Sequence, residues 1–270
     1  MKQRPNGLCF FLFGMILASC RDIKVIRFAD VPSTNRIAIE LGQKGAAHGT
    51  VVLANRQSRG RGRMERSFAS PPGGLYISII IRPELDSEQL PLITLAAGVA
   101  CCKTVETLTG LVVQLKWPND LYVGDKKLAG ILTESSPYSA SKQKISFFVV
   151  GIGINVNTEI EMFPPSLQES VTSLYCIQNK RYDPELFISG IVDQLNRFVT
   201  DPASEKNTLF SYWQQRDYLF GKDIGWQNPA GEQLYGIGAG LHHDGCYTLR
   251  TAEGEDRYIL GGELSLCVKE

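Results

Sequence analysis

The chain has 270 residues, 43% of them hydrophobic and 21% charged, which excludes a disordered chain and suffices for one large core with a small appended unit. Twenty-eight Lys and Arg balance twenty-eight Asp and Glu, so no global field draws the protein to nucleic acid or anionic lipid, and any charge that matters is local. The seven cysteines form no C-x-x-C pair and read as reduced thiols rather than a disulfide framework or a zinc site.

Residues 1–22 stand apart, with Lys2 and Arg4, an apolar run from Leu8 to Leu17, then Ala18-Ser19-Cys20. The run is too short to span a bilayer and has the form of a lipoprotein signal or, since Met15 lies inside it, of an apolar extension from an upstream start codon. Lys24 to Phe28 alternates like a strand, and Pro32-Ser33-Thr34-Asn35 opens a short helix. Thr50 to Ala54 reads as a buried strand running into a loop, Asn55 to Pro72, with five arginines, the one dense basic patch. Leu75 to Ile81 is a strand whose alternation would also serve as an intermolecular sheet edge. Leu92 to Leu108 reads as a packed helix carrying the vicinal Cys101-Cys102.

Leu111 to Trp117 and Leu121 to Val123 follow as strands, Lys126 to Glu134 passes from a charged turn into an apolar segment, and Ile145 to Ile154 is a strand ending in glycine. Pro184 to Phe198 is helical, and Leu209 to Leu219 is an amphipathic helix. From Gly221 onward, turn signals recur at roughly ten-residue spacing, the texture of a small β-barrel. The organisation expected is an extension over 1–22, a large domain over 23–219 and a small barrel over 220–270.

Four segments carry candidate chemistry. Gln57 to Arg66 alternates cation and glycine, so its backbone amides and guanidinium forks could wrap a phosphate chain. It reads as a solvated loop, a phosphate-binding flap or a nucleic-acid hook; the P-loop spacing is absent. Lys116-Trp117-Pro118-Asn119-Asp120 sets an amide and a carboxylate side by side in a Pro-fixed turn, or is simply an Asx turn. Lys127 enters the apolar Leu128-Ala129-Gly130-Ile131-Leu132, where it either snorkels outward or meets an anion. Gly151-Ile152-Gly153-Ile154-Asn155 is a weak dinucleotide fingerprint, lacking the third glycine and the helix. His242-His243 reads as a turn, and no G-x-S-x-G supports a serine hydrolase.

In this order, Ser33-Thr34-Asn35, Gln57 with Gly60-Arg61-Gly62-Arg63, Lys116 to Asp120, Lys127 to Leu132 and Gly151 to Asn155 closely resemble the biotin-protein ligases, and Gly261 to Leu266 is similar to that family's carboxy-terminal end. The resemblance implies an α+β fold, a mixed sheet flanked by helices like that of class II aminoacyl-tRNA synthetases and biotin synthetases, with a small carboxy-terminal SH3-like β-barrel. It also implies that biotin and ATP, with Mg²⁺, give biotinyl-5'-AMP, which then acylates a lysine on the biotin carboxyl carrier domain of a biotin-dependent carboxylase such as acetyl-CoA carboxylase.

By that resemblance, Ser33, Thr34, Asn35 and Gln57 would hold the biotin head group, and Arg61, Gly62 and Arg63 would close over the adenylate. Lys127 would meet the biotin carboxylate or acyl phosphate, and Arg61, Arg63, Arg66, Lys116, Asn119 and Asn155 would face the nucleotide. Arg63, Lys127 and Asp120 are the expected catalytic residues, Asp120 positioning metal or assisting deprotonation of the incoming amine; no dedicated metal site is expected. Phe68 stands where many relatives have Trp. With only residues 1–22 before the pattern, a monofunctional enzyme without a DNA-binding domain is expected, cytoplasmic despite the signal-like start, with no nucleic-acid or membrane partner and a weak monomer–dimer equilibrium. The rival readings are a lipoyl or related acyl ligase of the same fold and, from another class, a non-catalytic nucleic-acid-binding module.

Overall fold

The computed structural model describes residues 23–82, 90–136, 146–228 and 230–267; the expectations for residues 1–22 and the beginning of the strand at Ile145 lie outside them. Among the described residues the strands form two sheets. The larger is built from β1 (Val25–Val31), β2 (Val51–Gln57), β3 (Leu75–Ile81), β4 (Gln114–Lys116), β5 (Asp120–Val123), β6 (Lys126–Ser135) and β7 (Phe148–Ile154), in the order β1-β2-β3-β7-β6-β5-β4. Only the β1–β2 pair is parallel.

The period-2 pattern sorts side chains between two layers. Leu75, Ile77, Ile79 and Ile81 of β3, with Val150, Ile152 and Ile154 of β7, enter the main core. There α2 (Leu90–Thr109) and α5 (Pro202–Arg216) lie on the sheet, and α4 (Leu186–Thr200) packs against both helices. α4 buries Phe187, Ile188, Ile191, Val192, Leu195, Phe198 and Val199, the stripe of a 3.6-residue period. Small residues permit close approach, since a Cβ on Gly190 would lie 2.9 Å from Thr104 of α2, and one on Gly98 3.2 Å from the Trp213 ring. α2 is long and apolar enough to cross a membrane, but most of that stretch is buried in this core; its Cys101 and Cys102 are buried free thiols. On the opposite face, α1 (Thr34–Gln43) packs Ala38 against Val52, Ile80, Phe147 and Val149.

Three sequence expectations shift. β3 is interior, paired to β2 and β7, so it offers no intermolecular edge; the edges are β1 and β4. The strand expected from Leu111 shrinks to Gln114–Lys116 because Leu111 and Val113 donate their amides to Thr109 Oγ1 and Glu106 Oε1 instead. α5 begins seven residues before Leu209, at Pro202, where Asp201 accepts from Ser204 N and Pro fills the first turn, and it ends before Tyr218. A short helix, α3 (Leu174–Gln178), capped by Ser173, had no counterpart in the sequence reading.

β8 (Asp223–Gln227), β9 (Gln233–Leu241), β10 (Tyr247–Arg250), β11 (Asp256–Ile259) and β12 (Glu263–Leu266) form the second, antiparallel sheet, ordered β11-β10-β9-β8-β12. Asp217, at the junction of the two sheets, accepts from Tyr247 Oη and Leu219 N, both at 2.9 Å. Burial pushes its carboxyl up from 3.8 to about 6, against the pull of those bonds. A folded-state pKa above the ordinary value means that the folded chain holds the proton more tightly, so this contribution to stability is complete below 3.8 and is lost as pH rises through about 6. Asp217→Asn should therefore melt progressively higher relative to the parent as pH rises across that window; a constant difference in thermal midpoint would contradict the assignment.

Candidate active site

The floor of a cleft is the α1 face of β6 and β7, and glycines make it a floor. A Cβ on Gly151 would stand 2.0 Å from Asn35 Oδ1, one on Gly153 2.4 Å from the Phe68 ring, and one on Gly130 3.0 Å from the same ring. The Gly-Ile-Gly-Ile run is thus an ordinary strand alternation, with isoleucines in the core and glycines under the cleft, rather than a nucleotide fingerprint.

At one end, α1 delivers polar groups that are almost wholly buried. Gln57 Oε1 accepts from Thr34 N at 2.8 Å and Thr34 Oγ1 at 3.1 Å, while its Nε2 donates to Ser70 Oγ at 2.8 Å. Asn35 Nδ2 donates to Leu132 O at 3.1 Å and Glu134 Oε2 at 2.8 Å, and Ser78 Oγ approaches Asn35 Oδ1 at 2.5 Å and Thr34 Oγ1 at 2.8 Å. Ser33 completes this wall. The subsite is a preset array of hydroxyl and amide groups whose orientations are fixed by neighbours.

At the other end lie cations. Lys127 Nζ is 2.7 Å from Asp120 Oδ1 and 5.9 Å from the centre of the Phe68 ring. Lys116 stands 5.4 Å from the Tyr122 ring centre. Burial, reinforced by Lys127 and Arg66 and opposed by Asp120, holds its ammonium below the ordinary lysine range. The intervening turn contains a cis Trp117–Pro118 bond and is tied down by Asn119, whose Nδ2 donates to Ile131 O at 2.9 Å.

The arginine loop forms a small hairpin folded over this floor. Phe68 N donates to Gly60 O at 2.9 Å and Gly62 N to Arg66 O at 2.7 Å, with Met64 and Glu65 at positive φ at the tip. Its three inward arginines have different partners. Arg61 Nη1 meets Glu134 Oε1 at 3.0 Å, and Arg66 grips Glu263 of β12 with both terminal nitrogens. Arg63 has only neutral oxygens in reach, Asn119 Oδ1 and Gly262 O at 3.4 Å, and burial lowers its pKa despite Asp120 and Glu263 nearby.

Every residue expected at the site lines this cleft except Asn155. Asn155, just past the end of β7, is 3% exposed; its Nδ2 donates to Thr172 O at 2.9 Å, its backbone joins β6 to α3, and its buried Oδ1 has no partner among the described residues. Sequence reasoning missed Ser78, Glu134 and the pairing role of Glu263. Ser78 was visible as a small hydroxyl inside the apolar Leu75–Ile81 run, and Glu134 as a carboxylate directly after an apolar stretch.

Lysines and arginines gathered beside a preset hydroxyl and amide subsite suit a reaction that needs charge neutralisation and alignment of its reactants. Gly151→Ala should displace Asn35 and lower stability by about 1–3 kcal/mol, the usual effect of overpacking; an unchanged denaturation midpoint would mean the Asn35 contact is not fixed.

Residues 27–155 match the model of the biotin/lipoate A/B protein ligase family. The chain is 33% identical to the bifunctional ligase/repressor BirA of Bacillus spizizenii over 226 residues, which cover 83% of this chain and 68% of that protein. It is 33% identical to the biotin--[acetyl-CoA-carboxylase] ligase of Paracoccus denitrificans over 232 residues, covering 84% of this chain and 94% of that one. The biotin protein ligase of Aquifex aeolicus, solved in complex with biotin and ATP, superposes with a TM-score of 0.74 at 30% identity, over 91% of this chain and 99% of that one.

Proposed function

The chain belongs to the biotin/lipoate A/B protein ligase family, and from that premise we propose the following reading of its site. The protein is an ATP-dependent biotin protein ligase: it activates biotin with ATP and transfers it to a biotin carrier domain of a carboxylase. The observation that carries the reading is the joining, on one glycine floor, of a buried amide-hydroxyl subsite to a cluster of lysines and arginines.

In the first step a carboxylate oxygen of biotin bonds to the α-phosphorus of ATP while the bond to the bridging oxygen breaks and pyrophosphate departs. The carboxylate is already ionised, so no base is required. Lys127 meets the carboxylate and then the acyl phosphate, while Lys116 and Arg63, whose charges have no carboxylate in direct contact, face the phosphates, with Arg66 and Asn119 beside them. The carboxylates at the cleft, Asp120, Glu134 and Glu263, are each paired with a cation of the chain. Mg²⁺ bound with ATP would supply further charge neutralisation on the phosphates, beside Lys116, Arg63 and Arg66.

In the second step the acceptor lysine's amine bonds to the acyl carbon and AMP leaves. Asp120, fixed by Lys127, is the carboxylate assigned to take the proton of that amine. Arg61, Gly62 and Arg63 belong to the flap that keeps water from the mixed anhydride. The need for ATP and for carboxylase carrier domains supports a cytoplasmic location.

The polar subsite also separates the two acids that members of this family handle. Biotin's ring urea offers two N–H donors and a carbonyl acceptor to the hydroxyl and amide groups of Thr34, Asn35, Gln57 and Ser78, whereas a dithiolane offers them no comparable hydrogen-bonding group, a basis for preferring biotin. Pyrophosphate release from ATP and Mg²⁺ should therefore depend on biotin and not on lipoate, and turnover with lipoate alone would reassign the protein to the lipoyl branch. Lys127→Ala should slow both half-reactions by on the order of 10²–10³-fold, as loss of a preset charge does; a normal rate of pyrophosphate release would refute its role. With Arg63→Gly, adenylate formation should remain measurable while the intermediate escapes into solution, and retention equal to the parent's in a dissociation assay would remove Arg63 from the flap's closure.

A further inference from the structure

Glu134, near the end of β6, is a charged residue that the adenylation chemistry does not call for, yet its side chain is only 20% exposed and both of its oxygens are engaged. Oε2 accepts from Asn35 Nδ2 at 2.8 Å, inside the head-group subsite, and Oε1 meets Arg61 Nη1 of the flap at 3.0 Å. The carboxylate therefore adds a second tie between the start of α1 and the arginine hairpin, beyond the Thr34–Gln57 contact at the loop's base and closer to its inward arginines. We propose that Glu134 is a positioning residue: it pins the flap through Arg61 and fixes the amide of Asn35, so that Arg61 acts as the hairpin's anchor and not as a phosphate ligand.

The geometry supports both halves of the assignment. An amide can be turned end for end at little cost unless its neighbours distinguish oxygen from nitrogen. Here Glu134 and Leu132 O accept, so they demand Nδ2, and Ser78 Oγ fills the Oδ1 side. Asn35 also lies directly on Gly151, which leaves the amide no room to tilt away from Glu134. On the flap side, Arg61 pairs in register with Ser67 across the hairpin, and the next amide, that of Gly62, donates to Arg66 O at 2.7 Å. Holding the Arg61 guanidinium at the sheet therefore holds the base of the hairpin. Arg63, which has only neutral oxygens as partners, keeps its charge available for an incoming anion.

The inference rests on the ligase reading for its kinetic part only. The test compares Arg61→Ala, Glu134→Ala, their double variant and the conservative Glu134→Gln with the parent. Hydrogen exchange at the Gly62 and Phe68 amides is followed in the ligand-free protein, and KM for biotin and for ATP in pyrophosphate release. Each single variant should speed exchange at both amides and raise KM for biotin about tenfold, the effect of one charge-assisted hydrogen bond, while KM for ATP stays within about twofold. The double variant should be no worse than the poorer single, because both changes break one link.

A rise in KM for ATP with Arg61→Ala that the Glu134 variants do not share would make Arg61 a phosphate ligand and overturn the proposal. Unchanged exchange in Glu134→Gln would overturn it as well, and a general structural loss would raise both KM values together, which also counts against it. If Glu134→Ala does not fold, Glu134→Gln carries the same comparison. Absence of biotin-dependent turnover in the parent would sink the ligase reading, and the ligand-free exchange would still decide whether Glu134 pins the flap.

Discussion

Arg61, Arg63, Arg66, Lys116 and Lys127 are gathered against one strip of sheet before any anion is bound, and like charges at such distances repel strongly where water is scarce. The fold meets that repulsion with three carboxylates from three different strands. Glu134 of β6 takes Arg61, Asp120 of β5 takes Lys127, and Glu263 of β12 takes Arg66. The two cations left without a contacting carboxylate, Arg63 and Lys116, are the two whose pKa values burial lowers. The cleft's unbalanced positive potential is thus concentrated on those two residues. An acyl-adenylating site needs its charge where the phosphates come to rest, and pairing every other cation puts it there.

Close approach is the second requirement, and glycine supplies it. Phe68 and Asn35 both occupy volume that a side chain on Gly153 or Gly151 would fill. This part of the design is readable as a motif but not as a mechanism: Gly-Ile-Gly-Ile by itself is only a weak dinucleotide fingerprint, whereas its true period is the strand's period of two. Most elements were legible for the same reason, since β3 and α4 show their burial directly in the spacing of apolar residues. Interior against edge placement was not, because β3 is apolar on both faces and nothing local tells which strands pair with it. Glu134 and Ser78 escaped attention because their significance lies in partners 99 and 43 residues away, Asn35 in both cases. Glu263 lay within a recognised carboxy-terminal motif, but its partner Arg66 is 197 residues distant. Motif order could identify the cleft; only the fold could show which charges cancel within it.

The second sheet then ceases to be an appendage. Gly262 O receives Arg63, Glu263 receives Arg66, and the β9–β10 turn reaches the back of the Lys116–Asp120 segment, where Trp117 Nε1 donates to Gly245 O at 3.0 Å. That turn is closely fitted: Gly245 has φ +92°, and a Cβ there would lie 3.1 Å from Leu92 of α2. Any L side chain would be strained at that backbone angle and would also press on the core helix. The indole N–H of Trp117, 5% exposed, would have no acceptor if the turn moved. Lys116, Asn119 and Asp120 are therefore held from the front by the floor strands and from behind by the second sheet, whose β12 in turn holds the tip of the flap. The turn is held by a buried hydrogen bond and the flap by a solvent-exposed ion pair, so one small sheet fixes the first firmly and the second more lightly.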